Sequence, residues 1–368
     1  MPIVPPAHVE LASPRQDFAA MEPGERPVDR FLSAIETYRR VVLVSHVNPD
    51  PDALACMLGL QTLIEQRRPG ISVVLTVDGM IARAENRAMV ELVPIPLVAI
   101  ARIIPDSATA FVMVDSQPWT GRRASEDVTP TVVIDHHETG GNLDGVDFQD
   151  VRGDAGATST IIAEYLHCES CEISPPLATA LYYGIMSEIA GYPREAGPPD
   201  DAALVRLFPI VDKDLLAQIR NPKLPQEYFA TIQHALANAF LYDEVVVSWC
   251  GRVSQPDIVS EMADFFVRFD QVSWALSIGL FENLLKLSIR VNLLGARSGE
   301  VLRLVVDGLG NAGGHDKRAG GAIPLHDSRP ETIDDLLVEV RRRLLNALGM
   351  DEAKGRRLLD ECPIICTP

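Results

Sequence analysis

Positively charged side chains are scarce in this chain compared with negatively charged ones. Lys and Arg total 33 residues against 51 Asp and Glu, which gives a formal net charge of −18 at pH 7. A protein that holds a long polyanion needs clustered Lys and Arg along many phosphates. The charge balance therefore argues against a long nucleic acid as partner. A short nucleotide stays compatible, because a bound metal supplies its own positive charge.

Cysteines and long apolar runs are also few. Six cysteines in 368 residues do not form a disulfide framework. We interpret Cys168 and Cys171 as reduced, since no second Cys-x-x-Cys pair accompanies them as a structural zinc site requires. No apolar run approaches the roughly 20 residues of a membrane span, and the N-terminus lacks the pattern of a signal peptide. We therefore expect a cytoplasmic protein without a membrane partner.

The stretch 45–53, Ser-His-Val-Asn-Pro-Asp-Pro-Asp-Ala, stands out. It follows an apolar run at 41–44 that predicts a buried strand, and an amphipathic pattern that predicts a helix comes next. His46, Asp50 and Asp52 thus gather at the carboxyl end of a strand, where α/β sheets bind ligands. Carboxylates with an imidazole suit Mn²⁺ or Mg²⁺. The stretch is also rich in turn formers, so taken alone it leaves a surface turn open.

Two further apolar runs end in the same way. One leads into Asp115, and the next leads into Asp135, His136 and His137. Three strands with acidic or histidine residues at the same end make a convergent cluster, which is the usual arrangement of a two-metal site. The three endings together favour a metal centre over a turn.

These motifs, in this order, resemble those of the DHH/DHHA1 phosphoesterase family, which is named for an Asp-His-His triplet. The late run 311–315, Asn-Ala-Gly-Gly-His, resembles the Gly-Gly-Gly-His loop of the family's C-terminal domain. The resemblance covers roughly residues 41–324. Members of the family include RecJ-type single-strand exonucleases, nanoRNases and pAp phosphatases, cyclic di-AMP phosphodiesterases and pyrophosphatases.

The resemblance implies an α/β protein with two domains and an active site in the cleft between them. The N-terminal DHH domain would hold a mostly parallel sheet flanked by helices, as the alternation of strands and helices also predicts. The smaller C-terminal DHHA1 domain would also be α/β, and we expect antiparallel strands near 245–249, 272–280 and 284–293. The expected segments are a flexible arm at 1–27, the catalytic domain at 28–204, a helical connector at 205–240 and the substrate-binding domain at 241–368.

The resemblance also assigns metal ligands. His46 and Asp50 would bind one divalent cation, Asp52 and His136 would bind the second, and Asp115 would bridge the two. The cofactors implied are two Mn²⁺ ions, with Mg²⁺ left open.

Two further residues of the triplet region are expected to take part in catalysis. By resemblance, Asp135 would orient a ligand or assist the nucleophile, and His137 would contact a phosphate or the leaving group.

One position departs from the family pattern. The fourth motif of the family ends in an Asp ligand, whereas the corresponding helix here leads to Glu188. Glu also binds metals and reaches one methylene further, so we expect Glu188 to be a ligand. The alternative is a carboxylate at the rim of the site and a second metal that is held more weakly.

The expected substrate-binding residues lie late in the chain. Gly313 and Gly314 would let backbone N–H groups approach a phosphate, and His315 would supply a donor. Arg290 and Arg297 match places where family members grip substrate with a guanidinium. The match at Arg290 is looser, because Val rather than Ser follows it.

Thr158 and Ser159 precede an apolar helical pattern and are natural N-cap residues. Two interpretations stay open for them. They cap a helix only, or the N-terminus of that helix faces the site and helps to hold phosphate.

The resemblance and the charge together predict a metal-dependent phosphoesterase with oligoribonuclease-like activity. Its substrate would be a short phosphorylated nucleotide, either nanoRNA or a 3′,5′-bisphosphate such as pAp, attacked by a water that two metals activate. The alternatives are a cyclic dinucleotide phosphodiesterase and a non-catalytic nucleotide-binding homologue, and Glu188 is the feature that favours the latter. A pyrophosphatase ranks third. Whether the chain forms a homodimer stays open.

Overall fold

The computed structural model describes residues 24–81, 83–118, 129–138, 141–189, 196–314, 316–327 and 329–359. The chain divides into two compact units, one within residues 1–81 and 85–222, the other within 82–84 and 223–368. The finer segment boundaries expected from the sequence stay predictions. Among the described helices, none combines the length and apolarity that crossing a membrane requires.

The first unit holds one six-stranded sheet with helices packed against it. Its elements are α1 (Pro27–Ile35), β1 (Arg40–Val44), α2 (Pro51–Arg67), β2 (Ser72–Val77), α3 (Ala84–Leu92), β3 (Leu97–Ala99), β4 (Thr109–Val114), β5 (Val132–Asp135), β6 (Phe148–Val151), α4 (Thr158–Cys168), α5 (Pro175–Ile189), α6 (Pro198–Leu207) and α7 (Lys213–Arg220). The strand order is β3-β2-β1-β4-β5-β6, and all neighbouring strands run parallel. The parallel sheet predicted from the sequence is therefore confirmed.

The centre of this sheet explains where ligands can bind. From β1 the chain moves outward to β2 and β3, whereas β4, β5 and β6 extend on the other side. The strand order therefore reverses between β1 and β4, and such a switch point is where parallel sheets bind ligands at their carboxyl edge. Residues 41–44 of β1 are buried completely, as expected for a strand covered on both faces.

Three helices pack tightly beside this edge. A Cβ on Gly59 of α2 would lie 2.5 Å from Ile162 Cγ2 of α4, and a Cβ on Gly184 of α5 would lie 2.7 Å from Ser159 Oγ of α4. Glycine at both positions therefore permits the close approach of α2, α4 and α5. This packing holds the first turns of α2 and α4 against each other.

The second unit is built on a mixed seven-stranded sheet. Its elements are α8 (Gln226–Ala237), β7 (Ala239–Tyr242), β8 (Val245–Arg252), α9 (Ile258–Phe266), β9 (Trp274–Phe281), β10 (Leu284–Val291), α10 (Ser298–Val306), β11 (Asn311–Gly314), β12 (Arg318–Pro324), α11 (Pro330–Leu348) and β13 (Arg356–Arg357). The strand order is β11-β12-β10-β9-β8-β7-β13.

One strand pairing in this unit differs from the expectation. β9 and β10 are antiparallel as predicted, but β8 and β9 run parallel, so the prediction of three antiparallel strands is wrong there. The cause is α9, which lies between β8 and β9 in the chain and buries Val259, Met262 and Phe266. A parallel pair needs such a crossover connection, and this helix was not predicted from the sequence.

Candidate metal centre

His46 lies in the loop between β1 and α2, and its ring is held in a defined orientation. Its Nδ1 atom is 3.0 Å from the carbonyl oxygen of Val47. A carbonyl only accepts hydrogen bonds, so Nδ1 carries the proton and Nε2 is the ligand atom of the neutral ring. That Nε2 atom is 3.5 Å from Asp50 Oδ2 and 3.5 Å from Asp115 Oδ2. Asp50 is the N-cap of α2, where its carboxylate accepts the Ala53 N–H.

Asp115 follows β4 and occupies the middle of the cluster. Its side chain is buried and its φ is +53°, a left-handed conformation that Asp tolerates better than most residues. Oδ2 faces His46, whereas Oδ1 is 3.6 Å from His136 Nε2 and accepts a 2.9 Å hydrogen bond from Thr158 Oγ1. Each carboxylate oxygen thus faces a different histidine. The predicted bridging role stays a prediction with this geometry in its support.

Two groups of candidate ligands share Asp115. Within the described residues, the ligand atoms of His46, Asp50 and Asp115 lie within 4.8 Å of one another, and so do those of Asp115, His136 and His137. The N–O separations of 3.5–3.6 Å are too long for good hydrogen bonds. They approach the spacing of two ligands that bind one cation at about 2.0–2.2 Å each.

A buried nitrogen atom adds to the case for a cation. In the part of the chain that the structure describes, His136 Nε2 is buried and has no hydrogen-bond partner. Burial lowers the pKa of His136 below its usual value, so the ring is the neutral imidazole that a metal requires. Nitrogen and carboxylate oxygen donors together suit divalent ions such as Mn²⁺. The residues present therefore fit a divalent metal centre.

The electrostatics of the cluster point the same way. Burial raises the pKa of Asp52 to about 7, and the charge of Asp115 contributes. Burial and the neighbouring carboxylates raise the pKa values of Asp115 and Glu188 as well, the latter well above its usual value. Burial alone would lower the pKa of His46, but the nearby carboxylates of Asp115 and Asp50 raise it well above that of a free histidine. So much buried negative charge calls for a cation.

Asp52 is engaged in a way that the sequence did not reveal. It is fully buried in the first turn of α2, where Oδ2 accepts the Thr158 N–H and Oδ1 accepts the Ser159 N–H, both at 2.7 Å. These N–H groups form the positive N-terminus of α4. Ala157 is the N-cap residue of α4, so the expectation that Thr158 or Ser159 caps it is wrong. The anion at this helix end is Asp52 itself, and its role as metal ligand stays a prediction.

Glu188 lies near the end of α5 and is partly buried. Its charge interacts with those of Asp50, Asp52 and Asp115, which places it in the electrostatic field of the cluster. Among the described residues it belongs to neither of the two close ligand groups. Its predicted role as a ligand therefore stays a prediction.

Asp135 and His137 form a hydrogen-bonded pair at the end of β5. His137 Nδ1 donates to Asp135 Oδ1 at 2.8 Å. Burial would raise the pKa of Asp135, but the bonds from His137 and Gln117 hold it below its usual value. Desolvation would lower the pKa of His137, but Asp135 and Asp115 raise it to about 9. His137 is therefore a cation at neutral pH in the metal-free site, and its side chain is 49% exposed.

Two polar residues of the site have contacts that the sequence did not predict. Thr158 was expected either to cap a helix or to belong to a helix end that holds phosphate, whereas its hydroxyl donates to Asp115. Gln117 was overlooked, although it stands only two positions after Asp115 at the same strand end. That position at the carboxyl edge was the signal that could have identified it.

The two arginines predicted to bind substrate lie in the second unit. The Arg290 guanidinium donates to Asp264, to Ser288 Oγ and to the Ile289 carbonyl. Arg297 is 70% exposed and forms an ion pair with Glu300 at 2.7 Å. Arg290 is thus committed to partners within its own unit, while Arg297 is accessible. Their predicted roles stay predictions.

The predicted glycine loop is partly a strand. Gly313 and Gly314 belong to β11 and pair with Gly320 and Ala319 of β12. A Cβ on Gly314, whose φ is +154°, would lie 2.4 Å from the Arg318 carbonyl oxygen, whereas a Cβ on Gly313 would meet open space. Close strand packing therefore accounts for Gly314. His315 lies outside the described residues.

A cavity of about 1100 Å³ lies elsewhere in the first unit. It is lined by the end of β6, the loop at 152–155, α4 and α6, and no residue of the cluster around Asp115 appears in its described lining. Arg152 is a charged residue in the lining of this cavity, and its guanidinium forms ion pairs with Asp150 and Glu164. The candidate ligand groups therefore lie at the carboxyl edge of the sheet and not in this cavity.

The chain resembles known proteins in sequence. Residues 40–185 match the family model described as DHH family, N-terminal domain. Uncharacterized protein MJ1633 of Methanocaldococcus jannaschii is 30% identical over 320 residues, which is 85% of this chain and 65% of that protein. The chain thus spans about two thirds of the length of this relative.

Solved structures resemble the chain in fold. An exopolyphosphatase-related protein from Bacteroides fragilis superposes with a TM-score of 0.68 at 18% identity, covering 88% of this chain and 97% of that protein. RecJ from Thermus thermophilus, solved in complex with Mg²⁺, gives a TM-score of 0.47 at 13% identity and covers 87% of this chain and 52% of that protein. The first likeness shows the fold.

Proposed function

The chain carries the N-terminal domain of the DHH family, and on this premise we propose that it hydrolyses phosphoester bonds of short phosphorylated nucleotides with two Mn²⁺ ions. The substrate class is nanoRNA or a 3′,5′-bisphosphate nucleotide such as pAp. The observation that carries the proposal is Asp115, whose two oxygens face His46 and His136 separately. A shared carboxylate between two ligand sets is what a two-metal phosphoesterase uses.

The residues divide into ligands and groups that act on the substrate. His46, Asp50 and Asp115 would hold one cation, and Asp115 and His136 would hold the other with help from Asp52 and Glu188. When bound, two cations held by these residues would lower the pKa of an attacking water and would offset negative charge on the reacting phosphoryl group. The N-terminus of α4 and the Thr158 hydroxyl keep the buried carboxylates in place.

His137 has the properties of an acid that acts on the substrate. Asp135 accepts its Nδ1–H, which leaves Nε2–H of the imidazolium to donate to a phosphoryl oxygen or to the leaving oxygen. Half of this side chain is exposed, so a substrate can reach it.

A short substrate is favoured by charge. The net charge of −18 opposes a long phosphate track, because each neutralised phosphate needs a nearby cation. Within the second unit, we propose that Arg297, Gly313, Gly314 and His315 bind the part of the substrate away from the scissile bond, with a smaller part for Arg290. A cytoplasmic location remains a prediction, and whether the chain forms a homodimer remains open.

Two alternatives remain. A cyclic dinucleotide phosphodiesterase would use the same metals on a ring-shaped substrate. The other alternative is a non-catalytic nucleotide-binding homologue, which Glu188 in place of the family Asp favours.

A substrate panel separates these functions. Purified protein with Mn²⁺ is given a 5′-phosphorylated dinucleotide, pAp, cyclic di-AMP, a single strand of about 20 nucleotides and a chromogenic diester. We expect the dinucleotide or pAp to turn over fastest, and Asp115→Asn to abolish turnover of every substrate. Fastest turnover of the long strand would refute the short-substrate proposal, and preference for cyclic di-AMP would support that alternative. No hydrolysis with any metal, together with nucleotide binding, would support the non-catalytic one.

The role of the second unit has a separate test. His315→Ala should slow the dinucleotide more than the chromogenic diester, because the diester offers nothing for a distant group to bind. An equal loss on both substrates would mean that His315 serves the chemistry or the fold.

A further inference from the structure

Gln117 is a buried amide at the carboxyl edge of the first sheet. It follows β4 by three residues and is 1% exposed. Its Nε2 donates to Asp135 Oδ2 at 2.7 Å and to the His137 carbonyl oxygen at 3.1 Å. One side chain therefore holds both the carboxylate that binds the His137 ring and the main chain that carries it.

The orientation of this amide is unambiguous. Both contacts of Nε2 are with oxygens that only accept, so the nitrogen and not the oxygen of the amide must face them. The two hydrogens of the NH₂ group are thereby both used. Asp135 in turn accepts three donors: Gln117 Nε2, the His136 N–H at 2.9 Å and His137 Nδ1 at 2.8 Å. Its carboxylate has no exposed surface and is held from both oxygens.

We propose that Gln117 is the positioning residue of the proposed hydrolysis, because it fixes Asp135 and the His137 backbone so that the His137 ring presents Nε2 to the substrate. The inference rests on the proposed function for its effect on turnover. The two consecutive hydrogen bonds that link Gln117 to Asp135 and Asp135 to His137, which we call the relay, are present whatever the function is. Hydrogen-bonded partners that orient metal-binding imidazoles commonly contribute about 10- to 100-fold in activity, and we expect a similar size for a partner that orients His137.

A purely structural amide would behave differently. If Gln117 only provided hydrogen bonds for buried polar groups, its loss would lower the stability of the protein. Metal binding and turnover at the carboxyl edge would then be weakened to the same extent. If it acts through His137, its loss should matter only while His137 is present. The coupling between the two residues therefore distinguishes the interpretations.

The variants follow from this contrast. Gln117→Met keeps the length of the side chain and removes the donor, and Gln117→Leu removes the donor with a different shape and serves if the Met variant does not fold. Thr76→Val is the matched control. It deletes another buried hydrogen bond of the same sheet, from Thr76 Oγ1 to the Leu43 carbonyl at 2.7 Å. Among the described residues, Thr76 is not hydrogen-bonded to Gln117, Asp135 or His137.

The first measurement is turnover of the chromogenic diester with saturating Mn²⁺. We expect Gln117→Met to lower kcat about 10- to 100-fold, with Mn²⁺ affinity within about twofold of wild type by calorimetry and Thr76→Val near wild type in both. In the His137→Ala background, Gln117→Met should lower kcat by less than about threefold. A full additive loss in that background, or a loss of Mn²⁺ affinity as large as the loss of kcat, would overturn the proposal.

The second measurement needs neither metal nor activity. In the proton NMR spectrum of the metal-free protein, the His137 Nδ1–H resonance is assigned as the ring signal that His137→Ala removes. We expect its exchange with solvent to be at least about tenfold faster in Gln117→Met and unchanged in Thr76→Val. Unchanged exchange in Gln117→Met refutes the relay. If wild type hydrolyses no substrate, the proposed function fails, and this exchange alone decides whether Gln117 positions His137.

Discussion

At the scale of single residues, Asp115 has a buried carboxylate and a left-handed backbone conformation. Its φ of +53° turns the chain sharply at the end of β4, and its carboxylate reaches both histidines of the cluster. Backbone conformations of this kind cost about 1–3 kcal/mol and persist where the surroundings enforce them. Here the surroundings are a histidine on each side and the Thr158 hydroxyl.

Asp115→Asn tests the centre without disturbing this turn, because Asn also tolerates the left-handed region. Removing the buried charge should leave the thermal stability of the metal-free protein unchanged or higher. The rise in Tm that Mn²⁺ causes in wild type should disappear, and turnover should fall more than about 100-fold. Thermal melts with and without Mn²⁺ measure the first effect. Retained Mn²⁺ stabilisation would contradict a role for Asp115 in both ligand groups.

Glu188 offers a second test at this scale. If its carboxylate binds metal, Glu188→Gln should raise the Mn²⁺ concentration needed for half-maximal activity by about tenfold or more. Glu65→Gln is the control, since Glu65 is exposed on α2 and contacts Gln61. If wild type and Glu188→Gln need the same Mn²⁺ concentration, Glu188 is a carboxylate at the rim of the site and does not bind metal.

At the scale of elements, the site depends on how α4 meets α2. The first two N–H groups of α4 bind Asp52, and the hydroxyl of the same turn binds Asp115. The small residues Gly59 and Gly184 allow this close approach. One helix terminus therefore fixes two acidic residues from different strand endings, which makes α4 the main support of the cluster.

Thr158→Val and Thr160→Val compare two buried hydroxyls of α4. Thr158 Oγ1 donates to Asp115 at 2.9 Å, and Thr160 Oγ1 donates to Asp200 at 2.5 Å. Each change should lower the free energy of unfolding by about 1–3 kcal/mol. Only Thr158→Val should also weaken Mn²⁺ binding, by about 10-fold or more. Denaturant unfolding and calorimetric titration give the two quantities, and an equal loss of Mn²⁺ affinity in both variants would count against the specific role of Thr158.

At the scale of the whole molecule, the acidic cluster should couple stability to pH and to metal. The pKa of Asp52 is raised to about 7 in the folded protein from an ordinary value of 3.8, so the folded state binds this proton more tightly than the unfolded state. Stability of the metal-free protein should then fall as pH rises from about 4 to about 7. The raised pKa values of Asp115, Glu188 and His46 act in the same direction.

Thermal melts in EDTA and in Mn²⁺ between about pH 5 and pH 8 measure this coupling. We expect Tm in EDTA to fall with rising pH, and the gain from Mn²⁺ to be larger at pH 8, because the ligands are then deprotonated. Asp115→Asn should flatten the pH dependence. A Tm in EDTA that stays level or rises across this range would show that the buried carboxylates are not destabilising without a cation.

The sequence by itself determined the sheet of the first unit and the cluster at its edge. Apolar runs that end in His46, Asp115 and His136 suffice, because parallel strands bring their carboxyl ends to one edge. Only the tertiary structure decided that Asp52 faces the N-terminus of α4, since those residues are 106 positions apart. It also decided that β8 and β9 run parallel through α9 and that Gln117 holds Asp135. Such contacts depend on which helices and strands pack against each other. A local sequence pattern predicts a helix or a strand but does not identify the element that packs against it.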